Sequence, residues 1–338
     1  MENIKIIAEA GTNNNGRYDQ AIDLMDIAKR CGADFIKFQI IYTDGLYLPG
    51  NYEYGHYDIK EVRKIRDEGI MTDDEYKRLN NYGQKLNLPF TASIFDKRGL
   101  DLMLALNVPF IKIASGDLNN LSLLRQVAKA GKKIILSTGM STLEDIKRSV
   151  DEIIKNGNTD IVLMHCVSIY PANLEQTNLR FIEVLIKEFG LPVGFSDHTE
   201  TSLAACMALS LGATWFEKHF TANRDQKGLD HAHAMEEPDL KEYIKNIQMA
   251  NKALELKKDK ISEAELFTRK RARRSLYAAV DINSGELITE GKILVVRPEN
   301  LMDAADIDLI IGSIAKTPIK QNEPFSLAKV TRQKIDKN

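Results

Sequence analysis

The chain has 338 residues, 43 % apolar and 28 % charged, the proportions of a soluble globular chain with room for about two domains. Its 46 basic and 48 acidic residues leave a formal charge of −2, which excludes nucleic-acid binding through a broad basic field. Three cysteines (Cys31, Cys166, Cys206) without C-x-x-C spacing, no leader-like start and no apolar run near the roughly 18 residues of a membrane span predict a cytoplasmic chain with reduced thiols.

Short β-branched or apolar runs alternate with helical periodicity along the first 220 residues. The predicted strands are Ile4–Ala8, Asp34–Gln39, Pro89–Ser93, Phe110–Ser115, Lys133–Ser137, Asp160–His165, Pro192–Ser196 and Thr214–His219. Between them, Tyr18–Arg30 and Leu121–Ala130 read as helices, and Ser141 and Glu144 have capping-box spacing. Eight such units predict an α/β chain folded as a (β/α)8 barrel. A doubly wound open sheet would also alternate, but no G-x-G-x-x-G follows the first strand. Long insertions at 40–71 and 221–237 follow strands 2 and 8, on the face where barrels carry chemistry. The barrel is expected over 1–256 and a charged linker, with Lys257–Lys260 and Arg269–Arg274, over 257–274. A small β-rich domain fills 275–338, with strands at Ser275–Asp281 and Ile293–Val296 and further elements at Asp306–Ile314 and Pro318–Leu327.

Residues at the C-terminal strand ends of such a barrel face the active site, and here every end is polar. They include Glu9, Lys37, Gln39, Ser93, Lys112, Ser115, Asp117, Ser137, His165, Ser168, Tyr170, Ser196, His198, Glu217 and His219. So many ionisable groups on one rim point to an enzyme rather than a scaffold. His198 and His219 close adjacent strands, and with Glu217 they suit a divalent metal; two hydrogen-bonded histidines without metal are the plainer alternative. His56 and His233, in the insertions, are expected to face solvent, and His165 to be a satisfied rim or core group. Lys37 and Lys112, with Ser115, Ser137 and Ser196, form an anion cradle for a phosphate or carboxylate. The alternative is that the lysines bridge strand-end carboxylates.

Several motifs now stand in a recognisable order: Ile7-Ala8-Glu9-Ala10-Gly11, Ile36-Lys37-Phe38-Gln39, Lys112-Ile113-Ala114-Ser115-Gly116-Asp117 and Leu136-Ser137-Thr138-Gly139-Met140. His165-Cys166, Ile169-Tyr170-Pro171, Gly194-Phe195-Ser196-Asp197-His198-Thr199, Glu217-Lys218-His219-Phe220-Thr221 and Gly228-Leu229-Asp230-His231 follow. The series resembles the sialic acid (nonulosonate) synthase family over essentially the whole chain, and Arg274 to Val330 resembles its antifreeze-like SAF domain. The resemblance implies condensation of phosphoenolpyruvate with an N-acylated hexosamine to a 3-deoxy-2-ketoacid and phosphate. It implies a Mn2+ or Mg2+ ion on His198 and His219, and phosphoenolpyruvate on Lys37, Lys112, Ser115, Ser137, Ser168 and Ser196. Gln39, Tyr170 and Asp230 would hold the sugar, and Glu9 or Asp117 would be the acid/base. A domain-swapped homodimer would bring Arg297 of the partner's SAF domain to the sugar, with neither nucleic acid nor membrane as partner. Asn14, Asp117 and Ser168 depart from the family's commoner His, Glu and Asn, which bears on the acceptor rather than the reaction class.

Two other readings remain. A phosphoenolpyruvate-dependent aldol synthase acting on a sugar phosphate would need a further cationic site, and the strand ends supply only the two lysines of the cradle. A non-catalytic carbohydrate- or ice-binding protein would carry a flat threonine-rich tail, whereas this tail carries Arg297, Glu286, Glu290 and Asp303.

Overall fold

The computed structural model describes residues 4–50, 52–54, 57–256 and 261–332. His56 and Lys257–Lys260 lie outside the described residues. The chain divides into two compact units, Met1–Glu255 and Leu256–Asn338.

In the first unit eight parallel strands close into a barrel. They are β1 (Lys5–Gly11), β2 (Phe35–Ile40), β3 (Phe90–Ile94), β4 (Phe110–Ile113), β5 (Lys133–Ser137), β6 (Ile161–Cys166), β7 (Val193–Asp197) and β8 (Trp215–His219). Each pairs with its neighbours in sequence, and β1 closes the ring on β8. The expected (β/α)8 architecture is therefore the observed one. Period-two alternation sends one set of side chains outward to the helices and the other into the barrel. The outward set, with Ile6, Ala8, Ile36, Phe38, Ile111, Ile134 and Leu163, joins the main core. The inward set splits by height. Ile7, Phe110, Ile135, Val162 and Met164 form a separate buried floor, on which Phe35 and Trp215 stack with centroids 5.7 Å apart. The next inward residues along the same strands are Glu9, Lys37, Lys112, Ser137 and Glu217. Apolar floor and polar ceiling thus come from one alternation.

The insertion after β2 carries a short helix, Thr43–Leu46, and a longer one, Ile59–Glu68, whose Asp58 cap accepts from Lys60 N at 2.9 Å. The capping box expected at Ser141 and Glu144 lies one residue later. Thr142 Oγ1 accepts from Asp145 N at 3.2 Å and Asp145 Oδ2 accepts from Thr142 N at 3.0 Å. Ser141 is instead spent on Gly139 O, to which its hydroxyl donates at 3.1 Å. No helix among the described residues is long and apolar enough to cross a membrane.

The second unit is built on two antiparallel pairs, Ser275–Ala278 with Ile293–Val296 and Ser313–Ala315 with Val330–Arg332. Leu276, Ile282, Ile288, Ile310, Ile319 and Phe325 fill its core. Part of the expected linker is helical: Glu263–Ala272 starts on a Ser262–Glu265 capping box. Asp306–Ile314 is not a single element. Its first half is a 3-10 turn, Ala304–Leu309, because Asp303 caps it by accepting from Ala305 N at 3.0 Å.

The floor has little slack at Gly194 on β7. A methyl group there would lie 2.4 Å from Met164 Sδ and 2.5 Å from Trp215 O, and a backbone carbonyl in a barrel strand cannot yield. Gly194→Ala should cost about 1–3 kcal/mol in chemical denaturation. An unchanged midpoint would contradict this packing of the floor.

Candidate active site

The registers assemble the site. Glu9 lies beside Lys37 on β2 and beside His219 on β8, and Glu217 lies beside Ser196 on β7. Ser93 bridges Gln39 and Lys112 in the same layer. Lys37 Nζ is 2.8 Å from Glu9 Oε1 and 3.6 Å from Glu217 Oε2, and it donates to Ser93 Oγ at 2.9 Å. Lys112 Nζ reaches Glu217 Oε1 at 3.4 Å, and Ser196 Oγ donates to that same oxygen at 3.1 Å. All four charged residues are buried. Lys37 therefore bridges two strand-end carboxylates and Lys112 pairs with one of them, while both share a cavity of about 660 Å3 with the serines of the expected cradle.

The two carboxyls are driven apart. Burial pushes Glu9 up to about 7; Lys37 opposes this and the nearby Glu217 charge adds to it. Burial also works against ionisation of Glu217, but Lys112 and Lys37 outweigh it and hold that carboxyl down at about 2. Burial opposes the charge on Lys37 as well, and Glu217 and Glu9 more than restore it. Lys112 has a more distant partner, so burial wins and its ammonium is held below the usual lysine range. Two carboxyls of one site in different protonation states are the arrangement acid–base chemistry needs. Glu9 Oε1 takes Lys37 and the Gln39 amide, at 3.0 Å, which leaves Oε2 buried without a hydrogen-bond partner.

The imidazoles stand to one side of this network. His198 and His219 have ring centroids 5.8 Å apart. His198 Nδ1 lies 2.6 Å from Val167 O, so Nδ1 carries the proton and Nε2 keeps its lone pair. Burial lowers His198 to about 4 and His219 to about 3, and His219 Nδ1 is buried without a partner. Two neutral rings, with His198 Nε2 meeting Ser196 Oγ at a long 3.5 Å, suit a divalent cation whose remaining positions are taken by water and substrate oxygens. Among the described residues no group of three or more His, Cys, Asp or Glu side chains is arranged to hold an ion. The protein would contribute only the two rings.

Ser115, Ser137, Ser168, Ser196, Tyr170, Gln39 and Asp230 all line the cavity. Gly139 N donates to Ser115 Oγ at 3.0 Å, and a methyl at Gly139 would meet Ser168 Oγ at 2.6 Å, so a side chain would close this corner. Asp230 packs on Gly11, where φ is +59° and a Cβ would lie 2.6 Å from the carboxylate. The Tyr170 ring covers His198 at 4.0 Å between centroids.

One expected residue of the barrel rim is not brought here. Asp117 sits in the 3-10 turn Ser115–Asp117, outside the cavity lining, because that turn directs its carboxyl to Asn120 Nδ2, 3.2 Å away. Arg297 lies exposed in the second unit, one residue past the strand Ile293–Val296. His165 is a satisfied core group, with Nε2 2.8 Å from Thr177 O. His233 does not face solvent as expected. It is half-buried, lines the cavity and lies 5.4 Å from the His219 ring, because the turn His231–His233 folds the second insertion over the rim. Tyr47, Val62 and Arg66 of the first insertion also line the cavity, and no strand-end rule could have found them.

A family model described as the NeuB family matches residues 24–259, and a SAF domain model matches residues 273–331. The N,N'-diacetyllegionaminic acid synthase of Campylobacter jejuni is 35 % identical over 331 residues, covering 96 % of this chain and 99 % of that protein. The N-acetylneuraminate-9-phosphate synthase of Homo sapiens is 32 % identical over 296 residues, covering 86 % and 82 %. The crystal structure of an N-acetylneuraminic acid synthetase from Leptospira borgpetersenii, in complex with citrate, superposes with a TM-score of 0.71. It is 30 % identical, over 79 % of this chain and 90 % of that one.

The Glu9 environment yields a signed pH prediction. A carboxyl raised from 4.5 to about 7 adds stability that is full below about 4.5 and lost as pH rises through about 7. Glu9→Gln cannot ionise, so its stability relative to wild type should improve steadily between those pH values in parallel denaturant titrations. A difference that stays flat with pH would show that Glu9 is ionised throughout.

Proposed function

The chain belongs to the NeuB family and carries a SAF domain after its barrel, and from that premise we propose that it is a nonulosonate synthase. Its substrates in this reading are phosphoenolpyruvate and an N-acylated hexosamine, N-acetylmannosamine or a diacetamido-trideoxyhexose. The observation that carries the reading is the buried Glu9–Lys37–Glu217–Lys112 network facing two neutral imidazoles across one cavity.

The chemistry follows from the groups present. Lys37 and Lys112, with the hydroxyls of Ser115, Ser137, Ser168 and Ser196, hold the phosphate and carboxylate of phosphoenolpyruvate. Gln39, Tyr170 and Asp230 orient the open-chain sugar, so that its aldehyde carbon meets carbon 3 of phosphoenolpyruvate. His198 and His219 would hold a Mn2+ or Mg2+ ion, which when bound polarises a carbonyl oxygen. Carbon–carbon bond formation leaves a cationic carbon 2, and the aldehyde oxygen takes up a proton. Water adds to carbon 2 and gives up a proton, and the hemiketal phosphate collapses by breaking its carbon–oxygen bond. The products are the ketone and inorganic phosphate. Glu9, near half-protonated at neutral pH, is the group able both to give the first proton and to take the second. Glu217 stays ionised and keeps both lysines charged in place.

The test is acceptor-dependent phosphate release. Phosphoenolpyruvate with N-acetylmannosamine or a diacetamido-trideoxyhexose should liberate phosphate, chelation should abolish the release and Mn2+ should restore it. Phosphate release that ignores every hexosamine, or persists fully after exhaustive chelation, would contradict the reading.

A further inference from the structure

Arg66 is the one cation lining the cavity without a carboxylate partner among the described residues. Lys37 has Glu9 and Glu217, and Lys112 has Glu217. Arg66 Nε and Nη1 are both buried, and neither has a hydrogen-bond partner. It stands on the inserted helix Ile59–Glu68, whose Ile59, Val62 and Arg66 also line the cavity. That spacing, three then four residues, puts all three on one helical face. Of the other charges on this helix, Arg63 pairs with Asp44 at 3.1 Å, Lys64 with Glu68 at 3.9 Å, and Asp67 accepts from Thr43 at 2.7 Å.

A guanidinium carries five N–H donors and cannot shed its charge. Leaving two of its nitrogens dry beside Tyr47, Ile59 and Val62 is costly unless an anion completes the site. The donor's own anions have a cradle at the strand ends. We therefore propose that Arg66 binds an anionic group on the acceptor, a phosphate ester or a carboxylate at the end of the sugar remote from its aldehyde. The proposal rests on the synthase reading but departs from the neutral acceptors named there, favouring an N-acylated hexosamine that carries an anionic group. It also supplies the third cation that the strand ends lack.

The experiment compares three matched acceptors: N-acetylmannosamine, its 6-phosphate and the corresponding 6-carboxylate. Each is measured for phosphate release and, by calorimetry on chelated enzyme with phosphoenolpyruvate present, for binding without turnover. The wild-type protein should prefer an anionic acceptor, and Arg66→Gln should cut the anionic-to-neutral ratio of kcat/KM or of affinity by about ten- to a hundredfold. Arg66→Lys should recover part of it, and the acceptor showing the larger drop identifies the anion. A ratio untouched by Arg66→Gln, an equal loss for neutral and anionic sugars, or a loss confined to phosphoenolpyruvate would each overturn the proposal. If no acceptor is turned over, the synthase reading fails, while the binding ratio still decides the role of Arg66.

Discussion

Lys37 is clamped between Glu9 and Glu217 in the dry upper half of the barrel, and the rest of the site is arranged around that clamp. Removing one ion from water costs on the order of several kcal/mol, so such a cluster is weak evidence for stability and stronger evidence for use. Its local charges nearly cancel when both carboxyls are ionised. A proton on Glu9 leaves the cluster one positive charge in excess, which favours an arriving anion. Burial raises Glu9, while at Glu217 the two ammonium groups overcome the same burial and lower it.

The apolar floor makes this affordable. Ile7, Phe110, Ile135, Val162 and Met164 form a buried apolar layer directly below the charged layer. Packing of this kind also fixes the side chains above it. Every strand rises from a tightly filled layer, and one residue of register slip would exchange Glu9 for Ala8 and Lys37 for Ile36. Geometry at the site is therefore set by the hydrophobic layer beneath it as much as by the ion pairs themselves.

Much of this was legible in the sequence because alternation and strand ends are local properties. Lys133–Ser137 and Ile293–Val296 have the expected limits, and the rim residues Glu9, Lys37, Lys112, His198, Glu217 and His219 meet as strand-end logic requires. What failed depended on turn geometry and on the paths of the insertions, neither of which strand periodicity encodes. Asp117 shares the strand-end address, yet a 3-10 turn directs it to Asn120. The helix cap moved from Ser141 to Thr142 because both positions have a carboxylate three residues ahead, and the local turn that ties the Ser141 hydroxyl to Gly139 O separates them. His233 and Arg66 belong to insertions, whose path back over the rim no periodicity encodes.

The strand ends therefore carry the chemistry shared by the two lysines, while the insertions shape what else enters the cavity. The central claim is that the clamped lysines are the donor's anion site rather than a structural strut. Calorimetric titration of phosphoenolpyruvate onto wild-type protein and onto Lys112→Ala tests it most directly. Loss of one charge-assisted contact, roughly 1.5–3 kcal/mol, should weaken binding about ten- to a hundredfold in a folded variant. Equal affinity of the two proteins would contradict the account.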